Sequence, residues 1–364
     1  MSSVRTRKLL IIQPYLTQYR LPVFRELAKS FPIALLASES SSFGTIEEGD
    51  KALLNYIPSQ EVHWFSGKLM WQKGVLKSFL RMNPDKLFIT ANPRYLSSWC
   101  LILLAKMLGK EVFLHGQGRY NKSRLTVQQR LQFWLFSLLS KAYICYTESC
   151  KSSLRDTAIY KKSAVAENSI ANDFPVKKKD ELANGIFFVG RLRRGCNLTL
   201  LLNAVTKINA KREEKLIVHV IGSGENLTEY RQNYHENTIF YGEVYDQQKV
   251  AEISQKCFAG CYPGDAGLSV LHYMSLSLVP IVHEQLDKHM GPEPSYISSG
   301  VNGLMFKRND EESLIKQVEQ LLAEPQSTKQ LQQKAFNTYI ELTKPSLGQR
   351  LAKIISGYDS NNCS

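Results

Sequence analysis

The sequence predicts an α/β protein made of two doubly wound domains, each a parallel sheet covered by helices on both faces. The chain has 364 residues, which is more than one compact core usually holds. Short apolar runs alternate with helical patterns along its length, as in parallel sheets with crossover helices. A polar, charged stretch with a proline, residues 173–184, separates two series of similar size and is predicted to be a linker.

The two series predict the order of the elements. Strands are expected in the first series, residues 1–172, over 9–14, 32–38, 86–90, 111–116 and 142–147. Strands of the second series, residues 185–342, are expected over 185–190, 215–224, 238–244, 258–263 and 279–284. A break at Pro345 leaves residues 343–364 for a final short helix. Residues that follow the strands are the candidates for a binding site, because doubly wound sheets bind ligands at the carboxyl ends of their strands.

The positive charge lies in the first series alone. Of the net +13, residues 1–172 contribute all, with 24 Lys and Arg against 11 Asp and Glu, while residues 173–364 carry 22 of each. This asymmetry indicates an anionic partner. No nucleic-acid-binding motif is evident, and segments 64–82 and 122–141 mix Lys and Arg with Trp, Phe and Leu. Periodicity does not separate interfacial helices from core helices here, but the charge favours an anionic membrane surface over nucleic acid.

Composition favours a reduced, cytosolic protein. The seven cysteines are odd in number and form no Cys-x-x-Cys pair, which favours buried thiols over disulfides or zinc. The longest apolar run, Trp99–Ala105, is far shorter than the roughly 20 residues of a membrane-spanning helix. The first apolar run is too short for a signal peptide. We expect a cytoplasmic protein, peripheral at the membrane.

Residues 261–282 are the most informative segment, because they predict a loop, a helix and a strand. Gly264 and Gly267 punctuate the loop, and apolar residues then repeat at helical spacing from Leu268. A glycine loop that opens a helix presents free N–H groups and the positive end of the helix dipole. The amides of Gly267, Leu268 and Ser269 are therefore predicted to bind a phosphate.

Other strand ends carry residues suited to phosphate or sugar. Gly190 and Arg191 follow a strand, and an arginine there suits a diphosphate, with a surface arginine as the alternative. Gly222 and Gly224 permit close backbone approach, or form a plain turn. In the first domain, His115, Gln117 and Arg119 follow a strand in a glycine-rich loop. Arg20 precedes Pro22 at a predicted helix start, where a structural cap is the alternative.

These segments together resemble family-4 glycosyltransferases, which have the GT-B fold of two Rossmann-like domains facing a central cleft. The resemblance is strongest from Gly190 to Phe306. The family follows its Gly-Arg-Leu with a Lys-Gly, where this chain has Cys196-Asn197, and we hypothesise that Arg194 replaces the lysine. The family brackets its helix start with two glutamates eight positions apart. Here Gly264 or Asp265 takes the first position and His272 the second.

The resemblance implies roles for these positions. Asp265 would contact the donor sugar, and His272 would bind the ribose hydroxyls. The segment that ends in Glu243 and Val244 resembles the one whose backbone contacts the nucleotide base. His115 and Gln117 occupy the tryptophan and histidine positions of the acceptor-side loop, which makes them the catalytic candidates of the first domain, and Arg20 and Arg119 lie on the acceptor side. The final helix would return to the first domain.

The resemblance also implies the reaction. A sugar would pass from a nucleotide diphosphate sugar to a hydroxyl of a lipid-linked glycan, as a step in surface-polysaccharide assembly. The configuration of the sugar would be retained, and the leaving phosphate would take the acceptor proton. The chain has no Asp-x-Asp pair to hold a divalent ion against the diphosphate, so no metal and no other cofactor is expected.

Two alternatives stay open at this point. The altered lysine and glutamate positions fit a non-catalytic relative that binds a nucleotide sugar or partners an active enzyme. An epimerase of the same fold would need a proton-abstracting group, for which His115 is the candidate. Nucleic-acid binding ranks below both.

Overall fold

A computed structural model describes residues 7–38, 46–119, 125–174 and 182–357, and it has the predicted fold class. The chain forms two compact units, one of Met1–Asn168 with Pro345–Ser364 and the other of Ser169–Lys344. Each unit contains a parallel sheet with helices around it. Part of the predicted linker, residues 175–181, lies outside the described residues.

The first unit has a parallel sheet whose two faces are both covered. Its strands are β1 (Leu9–Tyr15), β2 (Ile33–Ser38), β3 (Tyr56–Ser59), β4 (Glu61–Trp64), β5 (Leu69–Gln72), β6 (Lys86–Thr90), β7 (Glu111–Gly116), β8 (Ala142–Cys145) and β9 (Ser163–Val165). Its helices are α1 (Leu21–Ser30), α2 (Glu48–Leu53), α3 (Val75–Met82), α4 (Leu96–Met107), α5 (Val127–Leu139) and α6 (Glu148–Ser152). The sheet order is β3-β2-β1-β6-β7-β8-β9. Leu9 and Ile11 pack into one hydrophobic cluster and Leu10 and Ile12 into another, because successive side chains of a strand point to opposite faces.

The segment 64–82 is not one helix, and the helical interpretation of its first half is wrong. β4 and β5 pair as an antiparallel hairpin, and only Val75–Met82 is helical. Gly67 and Gly74 both have positive φ, of 79° and 82°, which the α-helix does not accept. The glycines therefore end the hairpin turn and begin α3.

The second unit repeats the doubly wound plan. Its strands are β10 (Gly185–Val189), β11 (Ile217–Ile221), β12 (Thr238–Gly242), β13 (Cys257–Cys261), β14 (Val279–His283) and β15 (Leu304–Phe306). Its helices are α7 (Leu198–Asn209), α8 (Leu227–Asn233), α9 (Gln247–Ser254), α10 (Ser269–Ser275), α11 (Glu311–Ala323) and α12 (Pro325–Thr343). The sheet order is β12-β11-β10-β13-β14-β15. The order reverses between β10 and β13, and in the first unit between β1 and β6, which are the points where such sheets bind ligands.

The last helix, α13 (Leu347–Gly357), belongs to the first unit. Leu347, Leu351 and Ile355 join the cluster that contains α1. The Lys86 Nζ donates a hydrogen bond to the Ile355 carbonyl at 2.7 Å. The chain therefore crosses between the units at residues 168–169 and 344–345, a few residues from the predicted boundaries.

Candidate functional site

The loops that follow β10, β11 and β13 meet at the switch point of the second unit. The amide of Gly190 donates to the Ile221 carbonyl at 3.0 Å, and the amide of Leu192 donates to the Ser223 carbonyl at 2.9 Å. The Asp265 amide donates to the Gly195 carbonyl at 3.0 Å. The predicted donor-side loops therefore form one continuous backbone surface.

The glycines of these loops allow the backbones to touch. Gly222 has a φ of 142°, and a Cβ there would lie 1.8 Å from the Gly190 carbonyl oxygen. A Cβ on Gly264 would lie 2.2 Å from the Gly195 carbonyl oxygen, and one on Gly224 would lie 2.2 Å from that of Leu192. Protein backbone fills the space beside all three. Their role in loop packing is visible in the structure, and contact with a ligand stays a prediction.

The start of α10 has unused hydrogen-bonding groups. Within the described part of the chain, the amides of Gly267, Leu268 and Ser269 donate no hydrogen bond. The Ser269 side chain is buried, and its Oγ has no hydrogen-bond partner there. Buried polar groups are rarely left unsatisfied in native proteins. Three free amides and one free hydroxyl at a helix start suit the oxygens of a phosphate.

Asp265 already has protein partners. Its Oδ1 lies 3.1 Å from Arg308 Nη2 and 3.5 Å from His283 Nε2. Arg308 follows β15 and His283 ends β14, so neighbouring strand ends deliver both groups. Neither was predicted as a site residue, although His283 lies near the end of the predicted strand 279–284, which was a usable signal. The Asp265 carboxylate is therefore held in place before any sugar binds.

Two stacked histidines hold the loop that precedes α10. The rings of His283 and His289 lie 3.8 Å apart between centroids at an interplanar angle of 7°. Nδ1 of His289 accepts from the Ala266 amide at 3.0 Å, and its Nε2 donates to the His283 carbonyl at 2.9 Å. Burial lowers the pKa of His289 to about 4, so the ring is neutral at physiological pH and fixes the loop. The sequence analysis did not identify this pair.

His272 lies one turn into α10 and is neutral as well. Burial lowers the pKa of its ring to about 4. No group in the described ranges donates to or accepts from its ring nitrogens. A neutral imidazole offers one donor and one acceptor, which suits a sugar hydroxyl. His272 therefore has no charge at physiological pH.

The arginines after β10 differ in their surroundings. Arg193 Nη2 lies 2.6 Å from the Met290 sulfur. Burial raises the pKa of Tyr262 to about 12, and the nearby Arg193 partly offsets this rise. Arg191 is exposed and acts electrostatically on Tyr245. The side chain of Arg194 lies outside what the structure describes. Arg193, which was not among the predicted site residues, thus bridges the loops after β10 and β14.

The predicted base-contacting residues follow β12. Tyr245 donates from its hydroxyl to Glu243 Oε2 at 3.2 Å. Glu243 is exposed and Val244 is half-buried. The Gly222 amide donates to the Gly242 carbonyl at 2.8 Å, which joins this segment to the loop after β11. Glu243 and Val244 therefore lie at the same edge of the sheet as the other predicted donor residues.

The first unit has a cleft of its own at its switch point. Its volume is about 220 Å³. It is lined by residues in or just after several strands, by residues at the start of α1 and by one residue of α13: Gln13, Pro14, Tyr15, Thr17, Tyr19, Arg20, Val23, Phe24, Phe88, Thr90, His115, Tyr146 and Leu351. His115 is buried between the rings of Phe88 and Tyr146, with centroid distances of 5.1 and 4.4 Å. Burial, with the nearby charge of Arg20, holds the pKa of His115 well below its usual value.

The structure brings together only two of the four residues predicted for the first domain. Arg20 and His115 line the cleft, whereas Gln117 and Arg119 are not among its lining residues. The loop turns away at Gly118, whose φ is 66°. The Arg119 amide then donates to Ser153 Oγ at 3.0 Å. Gln117 and Arg119 therefore lie beside the cleft of this unit, not in it.

The described residues contain neither a metal-binding cluster nor a membrane-spanning helix. No group of three or more His, Cys, Asp or Glu side chains there is arranged to hold a metal ion. None of the helices in those ranges is long and apolar enough to cross a membrane.

Comparison with known proteins agrees with this architecture. Residues 169–338 match the family described as glycosyl transferases group 1. No curated protein matches the chain in sequence. HepE from Anabaena, solved with UDP and glucose, has a TM-score of 0.67 at 12% identity, over 96% of this chain and 100% of its own.

Two further solved structures share the fold. The lipopolysaccharide outer core galactosyltransferase WaaB has a TM-score of 0.68 at 14% identity, over 96% of this chain and 99% of its own. Sucrose-phosphate synthase from Thermosynechococcus elongatus has a TM-score of 0.71 at 13% identity, over 96% and 98%. The chain therefore has the GT-B fold, and its second unit matches the family of glycosyl transferases group 1.

Proposed function

We propose that this protein is a glycosyltransferase that moves a sugar from a nucleotide diphosphate sugar to an acceptor hydroxyl. The observation that carries the proposal is the start of α10, where three amides and the Ser269 hydroxyl have no partner in the described residues. This site lies in the segment that matches the glycosyltransferase family. HepE was solved with UDP and glucose, which makes UDP the first donor nucleotide to test.

In the proposed reaction, the main catalytic contribution comes from the phosphate-binding site at the start of α10. Negative charge grows on the leaving phosphate as its bond to the sugar breaks, and the amides of Gly267, Leu268 and Ser269 would stabilise it. Arg191 and Arg194 would bind the diphosphate without a metal. We propose retention of configuration, with the leaving phosphate accepting the proton. The low pKa of His115 supports this, because a weak base is poorly suited to deprotonate a hydroxyl.

We propose that the acceptor is a lipid-linked glycan. A structural neighbour, WaaB, is described as a lipopolysaccharide outer core galactosyltransferase. One face of α5 supports a membrane location. Val127, Leu131, Trp134 and Leu138 recur at spacings of four, three and four residues, and each is about half exposed or more. The opposite side of α5 buries Phe133 and Phe136. This exposed apolar stripe is the surface that we assign to the membrane interface.

Positive charge borders the α5 stripe. Lys162 donates to the Ser137 and Ser140 carbonyls at the end of α5. Its pKa is lowered by burial and by the nearby charges of Lys106 and Lys141. Three lysines therefore lie at this end of α5, and one of them, Lys141, is also 3.6 Å from Glu111. Each basic residue near an anionic surface contributes roughly 1 kcal/mol, so the patch suits anionic lipid.

Donor binding is tested by titrating the protein with UDP, GDP and their sugars and measuring thermal stabilisation. A ligand at a hundredfold excess over its Kd stabilises by about 2.7 kcal/mol. We expect Arg191→Ala to weaken the nucleotide sugar at least tenfold, because hydrogen bonds to charged groups contribute about 1.5–3 kcal/mol. Arg231→Ala, on α8, is the control and should not weaken it. Equal affinities for all three proteins would remove Arg191 from the donor site.

Arg194 has a separate test. If Arg194 replaces the family's lysine, Arg194→Ala weakens the nucleotide sugar as Arg191→Ala does. Unchanged affinity in Arg194→Ala, with weakened affinity in Arg191→Ala, would refute the replacement. Activity should survive excess EDTA, and a loss that manganese restores would refute the metal-free proposal.

Membrane association is tested by sedimentation with vesicles of phosphatidylglycerol or phosphatidylcholine. The wild-type protein is expected to bind the anionic vesicles at low salt. Trp134→Ser should reduce this binding severalfold, while Ile239→Ser, a matched loss of a half-exposed apolar side chain in the second unit, should not. A wild-type protein that stays in solution with both lipids would refute the membrane assignment.

A non-catalytic role is the second candidate. The pairing of Asp265 with Arg308 and the neutral His272 favour it, because neither residue reproduces the free carboxylates of the family motif. Transfer or donor hydrolysis by the purified protein would exclude this role. An epimerase would instead change the sugar of the donor without an acceptor, and NMR of the nucleotide sugar after incubation distinguishes it.

A further inference from the structure

We infer that the cleft of the first unit binds an acidic group of the acceptor, a carboxylate or a phosphate attached to a sugar ring, through Arg20. This inference rests on the proposed function, and it adds the chemical class of the acceptor. It is drawn from the charge, the burial and the unused hydrogen-bonding groups of the cleft.

Arg20 is a fixed cation without a protein anion. Its guanidinium carbon lies 5.4 Å from the Tyr19 ring centroid and 5.7 Å from that of Tyr146, and such contacts orient a guanidinium. No acidic side chain lines the cleft. Within the described residues Arg20 makes no ion pair. The guanidinium is thus oriented in the cleft and lacks the carboxylate that such groups usually bind.

Other charged side chains near the cleft have partners within the protein. Arg25, on α1, binds the buried Asp50 through two hydrogen bonds of 2.6 and 2.8 Å. Glu61 is the acid beside the cleft wall, and it accepts from the Tyr15 hydroxyl at 2.7 Å and from the Tyr95 hydroxyl at 2.5 Å. Both acids are therefore engaged elsewhere. The Arg20 guanidinium is therefore available to an anion supplied by a ligand.

The cleft also contains groups suited to sugar hydroxyls. Thr17 Oγ1 and His115 Nε2 are buried and have no hydrogen-bond partner in the described chain. A buried polar group left unsatisfied costs about 1–3 kcal/mol. A sugar hydroxyl can donate and accept, so it satisfies either group. The volume of about 220 Å³ is below that of pockets for drug-sized ligands, which suits a single ring, and Phe88 supplies an apolar wall.

The test measures direct binding of small probes by calorimetry or ligand-observed NMR. The probes are methyl glucoside, methyl glucuronide, glucose 6-phosphate and inorganic phosphate, and UDP is titrated separately to report on the donor site. Wild type should bind at least one acidic sugar tenfold or more tightly than methyl glucoside. The glucuronide and the phosphate sugar distinguish a carboxylate from a phosphate, and inorganic phosphate shows whether the sugar ring contributes.

Variants assign the effect to Arg20. Arg20→Gln should abolish the preference for the acidic sugar and leave the UDP affinity unchanged. Lys29→Gln removes a positive charge from α1, which begins directly after Arg20, at a side chain that is 71% exposed, and it should keep the preference. Tryptophan fluorescence checks that each variant is folded. The affinities of the wild-type protein for acidic and neutral sugars already test the inference, so a misfolded variant does not prevent the test.

The outcomes separate this inference from the proposed function. Acidic sugars that bind no better than methyl glucoside to wild type would overturn the inference, whatever UDP does. A protein that binds acidic sugars through Arg20 but does not bind UDP would support the inference and contradict the proposed donor. Weaker UDP binding in Arg20→Gln with an unchanged preference for acidic sugars would assign Arg20 to the donor and also overturn the inference.

Discussion

The ion pair of Lys86 and Glu111 gives an asymmetric prediction about stability. The Lys86 side chain is only 2% exposed, and its Nζ lies 2.7 Å from Glu111 Oε2. It also donates to the Ile355 carbonyl of the last helix. The Glu111 side chain is 26% exposed and keeps two other cations nearby, Lys141 at 3.6 Å and Arg7 at 3.7 Å. The two residues therefore depend on each other unequally.

The magnitudes follow from what each substitution leaves behind. Glu111→Leu leaves a buried ammonium without its carboxylate, which costs about 3–5 kcal/mol. Lys86→Met removes the buried charge and leaves Glu111 with two cations, so the main loss is the hydrogen bond to the Ile355 carbonyl, about 1–3 kcal/mol. The double variant buries no charge and should cost less than the sum of the two single changes.

Urea unfolding followed by tryptophan fluorescence measures the stability of the first unit, which contains Lys86 and Glu111. All four tryptophans, Trp64, Trp71, Trp99 and Trp134, lie in the first unit, so the signal reports on that unit alone. We expect Glu111→Leu to be the least stable of the variants. A Lys86→Met protein as unstable as Glu111→Leu, or strict additivity in the double variant, would refute the reasoning.

Three further predictions concern pH, a loop glycine and a helix cap. Because the folded pKa of His289 is about 4 and the unfolded one about 6.5, the second unit should lose up to about 3 kcal/mol as pH falls from 6.5 to 4. His289→Gln should reduce this pH dependence, as measured by amide exchange in residues 262–268. Gly222→Ala places a Cβ 1.8 Å from a carbonyl oxygen and should destabilise the second unit by more than about 2 kcal/mol. Gly195→Ala is the control, because the added Cβ has no atom within 4 Å, and this variant should unfold at the wild-type temperature. Thr126→Ala removes the capping box of α5 and should cost about 1 kcal/mol in the fluorescence assay, and an unchanged urea midpoint would contradict it.

The fold class was predictable because the strands are short apolar runs with helices between them. β1, β7 and β10 lie where the sequence places them, since a strand covered on both faces has to be apolar throughout. The hairpin of β4 and β5 was missed. Its Trp, Lys and Leu residues also fit a helical pattern, and the positive φ of Gly67, which decides against the helix, is a property of the folded turn.

The site was predictable only in part. The glycines and the start of α10 were found because close backbone contact and free amides depend on local sequence. Arg308 and His289 were not found, because they reach the loop before α10 from other strand ends. Contacts between residues far apart in sequence follow from the order of strands in the sheet, which a single sequence specifies weakly.

The sequence by itself determined that the chain has two doubly wound units, that the positive charge lies in the first, and that a glycine loop begins a helix after β13. Only the tertiary structure decided which residues meet. It placed Arg20 beside His115 in a cleft without an acid, and it paired Asp265 with Arg308. The physical reason is that apolar patterning and turn chemistry act over a few residues, whereas charge pairing and burial depend on distances that exist only after the sheets have formed.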